Sequence, residues 1–196
     1  IITIDDVMDI MEEEATEDIE KMAAIVPSDK TYFKTSILQT YKNRMPWLLI
    51  LMVSATFTGA IITSYENALA SYVILTAYIP MLMDTGGNAG SQASVSVIRG
   101  LSLDEIQFKD LPRALWKEIR VAVMCGLTLA TANFLKLLLL DRLPVEIALI
   151  VCLTLVIVVV FAKTIGCCLP LVAAKIHLDP AVMASPLITT IVDAVS

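Results

Sequence analysis

Charge is scarce in this sequence: 17% of its 196 residues are Asp, Glu, Lys or Arg and 57% are apolar, whereas about a quarter of an ordinary soluble domain is charged. That scarcity excludes an ordinary soluble surface and points to lipid as the solvent. Residues 45–65 carry no charged side chain at all, a run longer than the roughly 18 residues at which a membrane span becomes the default reading. Cysteine is equally uninformative as chemistry. Cys125, Cys152, Cys167 and Cys168 lie in apolar stretches without metal-ligand spacing, so they read as small packing residues and no disulfide is expected. A basic-then-apolar leader is missing too, which argues against a cleavable signal peptide. A start at Ile1 instead of Met fits a segment of a longer protein.

Basic residues are nearly absent from the first 28 positions. Nine acids (Asp5, Asp6, Asp9, Glu12, Glu13, Glu14, Glu17, Asp18, Glu20) face one base, Lys21, a local charge of −8 that leaves +2 for the remainder of a chain whose net charge is −6. Such an arm repels nucleic acid and anionic lipid and attracts cations or a basic surface. Acids alternate with Val7, Met8, Ile10, Met11, Ile19 and Met22 at helical spacing, which predicts two short amphipathic helices within 4–24.

Five hydrophobic segments follow. They are expected at about 46–64, opened by Pro46 with Trp47 at the interface; from about 67 to 99, interrupted at 84–91; at 114–140; at 145–174; and from Pro180 to the end. Basic residues gather before the first (Lys30, Lys34, Lys42, Arg44) and between the second and third (Arg99, Lys109, Arg113, Lys117, Arg120), with Lys175 before the fifth. The positive-inside rule then puts the N-terminus in the cytoplasm and the C-terminal end outside. The fold expected is all-α, a multi-pass helical membrane protein with an acidic arm over 1–28 and a five-span domain over 29–196.

Ionisable groups at membrane depth are costly unless they face protein or water, so they mark function first. Lys136 is near a helix end and can snorkel, whereas Lys163 is deeper and needs a carbonyl or an acid as partner. In the fifth segment Asp179 precedes Pro180 as an N-cap would, and Ser185, Thr189 and Asp193 follow at intervals of four on one helix face. One helix would place Asp179 at the cytoplasmic mouth, about 21 Å from Asp193. A polar stripe ending in a carboxylate must line a water path or a protein interface, and an acid hydrogen-bonded between helices is the plainer alternative. Pro186 would kink that helix and free the carbonyl of residue 182 as an oxygen ligand.

The second segment holds Asp84-Thr-Gly-Gly-Asn-Ala-Gly-Ser-Gln92. Its three glycines predict irregular backbone whose carbonyls face a cavity, or else close helix packing. With only carboxylate, hydroxyl and carbonyl oxygens near, the ligands are hard and suit Mg²⁺, Ca²⁺ or Mn²⁺. One carboxylate per chain is too few for a dehydrated Ca²⁺ cage. It suits a hydrated Mg²⁺ held through its waters, with a second Asp193 supplied by two-fold symmetry.

These motifs resemble the membrane domain of the MgtE magnesium channels. The resemblance rests on Pro80-Met-Leu-Met-Asp-Thr-Gly-Gly-Asn-Ala-Gly-Ser-Gln92 with Ile98-Arg-Gly100, on Lys117-Glu118, and on Asp179-Pro180 through Pro186 and Thr190 to Asp193. The acidic start, Thr3-Ile-Asp-Asp-Val-Met-Asp9 and Glu14-Ala-Thr-Glu-Asp-Ile19, resembles the end of that family's cytosolic CBS region and its connecting helix. The likeness implies a Mg²⁺-selective channel in the cell inner membrane, a homodimer with five spans per subunit and a pore lined by the second and fifth. It implies Asp193 as the carboxylate that reads hydrated Mg²⁺, with Gly87, Ser91, Ser185 and Thr189 as lining positions. Asp6, Asp9, Glu17 and Asp18 match regulatory Mg²⁺ acids whose partners in the cytosolic domains are missing here. Ser91 and Ser185 stand where some relatives carry Asn, which alters the hydration-shell contacts. The competing readings are a cation exchanger coupled to Na⁺ or H⁺, and an intramembrane aspartyl protease. The latter is disfavoured because Asp179 and Asp193 are too far apart to share a proton.

Overall fold

The computed structural model describes residues 3–28, 32–183 and 185–195, excluding the side chains of Ser71, Met183 and Ser185. Lys30 of the first basic cluster lies outside these residues. Helix is the sole regular element among the described residues: α1 (Ile4–Met22), α2 (Ile37–Ser64), α3 (Glu66–Ser71), α4 (Val73–Thr76), α5 (Ile79–Ser102), α6 (Leu111–Leu139), α7 (Val145–Lys175) and α8 (Ser185–Val195), with 3-10 turns at Phe108–Asp110 and Pro180–Met183. Three of them, α2, α6 with its preceding turn, and α7, are long and apolar enough to cross a membrane. Their outward faces carry large apolar side chains such as Leu48, Met52, Phe57, Leu149, Leu153 and Phe161, all about half exposed or more, a surface that water does not tolerate and lipid does. Hydroxyls on these helices are satisfied by their own backbone, as in Thr56 to Met52, Thr128 to Met124 and Thr154 to Ile150, which removes the cost of a polar group in hydrocarbon.

Helix α7 is the axis of the assembly. It packs against α5 on one side and α6 on another, while α8 packs mainly on α5, and α2 touches the bundle chiefly through α8. Lipid supplies no hydrophobic drive between helices, so association depends on close van der Waals fit, which small residues allow. The fit is tightest where Gly166 of α7 meets Gly90 of α5: a Cβ on Gly166 would collide with the Gly90 carbonyl oxygen. Gly126 of α6 likewise lies against the Val156 backbone of α7, where a Cβ would stand 3.3 Å from Cα. Around these contacts Leu82, Ala89, Ala122, Val159, Ala162 and Ile188 form the main core.

Four sequence expectations are corrected here. The acidic arm forms one helix, α1, because its apolar positions keep helical phase from Val7 to Met22 and Thr3 with Asp6 closes a capping box at its start. Pro46 sits inside α2, which begins at Ile37 with Ser36 as its N-cap, so proline does not open that span. Residues 84–91 are regular helix within α5, and the interruption falls earlier, at Tyr65, Tyr72 and Tyr78 between short helices. Glycine costs about 1 kcal/mol per residue in a helix, less than the roughly 1–3 kcal/mol of each buried backbone group left unbonded, so α5 stays wound and its buried glycines serve packing. The fifth segment is not one helix from Pro180: a 3-10 turn at Pro180–Met183 precedes α8. Pro186 is thereby the second residue of α8, where a missing N–H costs nothing, and it kinks nothing.

Candidate cation-binding site

The α5–α8 pair is set by Gly87, whose missing side chain leaves room for Thr189; a Cβ there would be 2.5 Å from Thr189 Cγ2. Gly90 meets Ile188 in the same way. Residue numbers rise along α5 as they fall along α8, so the helices are antiparallel. Beside this contact lies an open groove of about 640 Å³ whose polar lining is Asp84 and Asn88 from α5, Thr189 and Asp193 from α8, and Thr76 from α4. Ile62, Ile79, Pro80 and Met83 complete it, and no basic side chain is among the lining residues. Asn88 Nδ2 donates to Asp84 Oδ2 at 3.2 Å, and the Thr189 hydroxyl donates to the Pro186 carbonyl at 3.0 Å. Asp193 is half-buried and Asp84 exposed.

The residues named from sequence are distributed over two places. Thr189 and Asp193 share the groove. Gly87 is buried behind it against Thr189, and Ser91 is half-buried one turn further along the same stripe of α5. Ser185 opens α8, and its side chain lies outside the described residues. The carbonyls expected as ligands from an irregular 84–91 segment are committed to helix instead. Asp84 and Asn88 were not singled out from sequence, although the signal was available: an ionisable residue within an apolar segment, four positions before an amide.

The second place is the junction of α1 with the turn before α8. Lys21 Nζ lies 2.6 Å from Asp179 Oδ2 and 2.5 Å from Glu17 Oε1, and Asp179 also accepts from the Ala181 backbone N–H at 2.9 Å. Burial pushes the Asp179 carboxyl up, and the bonds from Lys21 and Ala181 outweigh it, so it lies below the usual carboxylate range. Lys21 is held above the ordinary lysine value by Asp179 and Glu17. Asp18 is pushed up, first by burial and then by Asp179. Asp6 is lowered by hydrogen bonds from Thr3, whose N–H and Oγ1 reach Asp6 Oδ2 at 2.8 and 2.7 Å, while Asp9 is exposed on α1. Asp179 and Asp193 thus occupy separate sites on either side of a helix break.

Of the two lysines in apolar segments, Lys136 is paired with Asp141 at 2.8 Å near the end of α6. Lys163 is 5% exposed, and its ion partner is an acid, Glu118 of α6, at 4.0 Å. Glu118 and Lys21 were both missed as partners, and the sign of their charge was the available clue.

A family model described as "MgtE: Divalent cation transporter" matches residues 79–196. A magnesium transporter MgtE of Thermus thermophilus is 35% identical over 193 residues, covering 98% of this chain and 42% of that protein. The Bacillus subtilis magnesium transporter MgtE is 32% identical over 196 residues, covering the whole chain and 43% of its own length. In Enterococcus faecalis the protein of that name is 26% identical over 197 residues. The chain spans about two fifths of the length of these curated relatives. With α5, α6, α7 and α8 all inside the matched region, the chain belongs to the MgtE family, whose model is described as a divalent cation transporter.

Proposed function

We propose that this chain is the membrane part of a Mg²⁺ channel, passing hydrated divalent cations between two copies of the α5–α8 pair. The observation that carries the reading is the groove at this pair, where Asp193 and Thr189 face Asp84 and Asn88 with no basic residue among them. Carboxylate, hydroxyl and amide oxygens without His or Cys are the donors that a hard divalent ion takes. Carboxylates on the outer face of a membrane bundle need water or a partner, and a second copy across a two-fold axis supplies both. In this reading α2, α5, α6, α7 and α8 are five spans, the N-terminus and the Asp179 mouth are cytoplasmic, and α1 with Asp6, Asp9, Glu17 and Asp18 belongs to the Mg²⁺-dependent gate. The buried Lys163–Glu118 pair favours a second reading, exchange coupled to H⁺ or Na⁺.

Mg²⁺ uptake into proteoliposomes distinguishes these readings. Flux is expected to follow the Mg²⁺ electrochemical gradient alone and to be lost in Asp193→Asn. A flux driven uphill by a proton or sodium gradient favours the exchanger, and unaltered flux in Asp193→Asn overturns the site.

A further inference from the structure

Asp84 is an acid on α5, the helix that contributes the other wall of the groove. Because α5 and α8 run antiparallel and meet at Gly87 and Thr189, three residues back along α5 and four forward along α8 bring Asp84 level with Asp193. Both line one groove, and Asp84 is within electrostatic reach of Asp193. The two carboxylates come from different helices, and the glycine contact fixes their separation. Asn88, one turn from Asp84, donates to one of its oxygens and leaves the other for a ligand.

We propose that Asp84 is a second cation-facing carboxylate of this site, a specificity-determining residue that makes the permeation site a two-acid site in each chain. The inference rests on the reading of Asp193 as the cation carboxylate and deepens it. Two acids facing one groove with no basic neighbour repel each other in the empty site, and a divalent cation between their hydrated shells removes that repulsion. Asn88 engages one oxygen of Asp84, and the other is open to the water shell of a hydrated ion. The consequence is electrostatic selection by valence: two acids per chain favour a divalent ion over a monovalent one more strongly than Asp193 alone.

Concentration dependence of Mg²⁺ flux in proteoliposomes, with Na⁺ as competitor, tests this. The attraction between a carboxylate and a divalent ion about 6 Å away through water corresponds to about a ten-fold change in affinity. Asp84→Asn is therefore expected to raise the half-saturating Mg²⁺ concentration about ten-fold and to let Na⁺ compete, with flux at saturation retained. Should Asp84→Asn fail to give a monodisperse protein, Asp84→Glu carries the test, because lengthening the acid moves its charge relative to Asp193 and is expected to change the Mg²⁺ to Ca²⁺ flux ratio. Parent-like half-saturation and Na⁺ competition in Asp84→Asn, or a parent-like ion ratio in Asp84→Glu where that variant carries the test, overturns the proposal. If Asp193→Asn abolishes flux while Asp84 variants behave as the parent, the second acid fails and the Asp193 site stands. If Asp193→Asn is without effect, both fail.

Discussion

The side chains at the α1 junction answer to pH in two opposed ways. Asp179, lowered by Lys21 and Ala181, stabilises the contact above the ordinary carboxylate value of about 3.9, and that contribution disappears as pH falls through its folded value. Lys21, raised by Asp179 and Glu17, contributes fully below the ordinary lysine value of about 10.4, and its share disappears as pH rises through its folded value. Asp18 has the same pH direction as Lys21 and the opposite one to Asp179, since burial and then Asp179 make its ionised form unfavourable, and protonating it relieves that cost. Protection of α1 amides against hydrogen exchange is therefore expected to increase as pH drops from 7 toward the carboxylate range, and to fall below it as Asp179 takes its proton. In Lys21→Gln protection should be lower at every pH between the folded values of Asp179 and Lys21; an α1 protection profile indifferent to this substitution shows that the junction is held by something else. At this scale the sequence singles out Asp193 as an acid on an apolar helix, and the structure puts it in one groove with Thr189. Asp84 meets the same criterion, but the glycines around it suggest broken backbone where the structure has regular helix. Contacts such as Lys21 with Asp179, 158 positions apart, were not legible, since only the packed chain brings those charges together.

Among elements, composition located α6 and α7 to within a few residues, and missed the arrangement of α5 and α8. A long apolar run with charges at its ends has one solution in lipid, and so α7 could be read directly. A helix rich in Gly, Ser and Ala reads equally as a break or as a packing face, and the choice depends on the neighbour it meets. Gly166 and Gly90 are that neighbour pair. Gly166→Ala is expected to cost about 1–3 kcal/mol through overpacking, seen as a lower melting temperature in detergent, whereas Gly59→Ala, with nothing within 4 Å of the added methyl, should stabilise α2 slightly by propensity. Equal melting temperatures for the two variants would contradict the close contact. Helix ends show another economy: α1, α5 and α7 close with the left-handed residues Ala24, Asp104 and His177, none of them glycine. In each, the following N–H returns to a carbonyl five residues earlier, as in Leu178 to Ala173, a Schellman closure whose backbone strain is about 1–2 kcal/mol per non-glycine residue.

For the whole molecule, charge and packing divide along the same line. The acidic helix α1 lies against the turn that leads into α8, and α8 lies against α5, so one continuous path of contacts joins the aqueous acids to the groove of Asp84 and Asp193. The groove is open on its outer side, and pairing of two chains is the arrangement proposed to cover it. Light scattering of detergent-solubilised protein, corrected for the detergent, is expected to give twice the chain mass at micromolar concentration; a chain that stays single at all concentrations contradicts a two-fold path. The multi-pass, all-helical class was legible here because scarce charge points to lipid and long apolar runs have a helix as their solution there. What covers the groove was expected to be a second copy, and a polar stripe by itself specifies only that something covers it.

The contact between Gly166 and Gly90 also sets how much latitude each part of the chain has for change. Where backbone meets backbone, hydrogen is the only side chain that fits, so those two positions admit almost no substitution. The outer faces of α2 and α7 ask only that a residue be apolar, and Leu, Ile, Val, Met and Phe exchange there at little cost. Divergence among relatives is thus expected to collect on the lipid side, leaving the α5–α7 seam as the fixed hinge of their history.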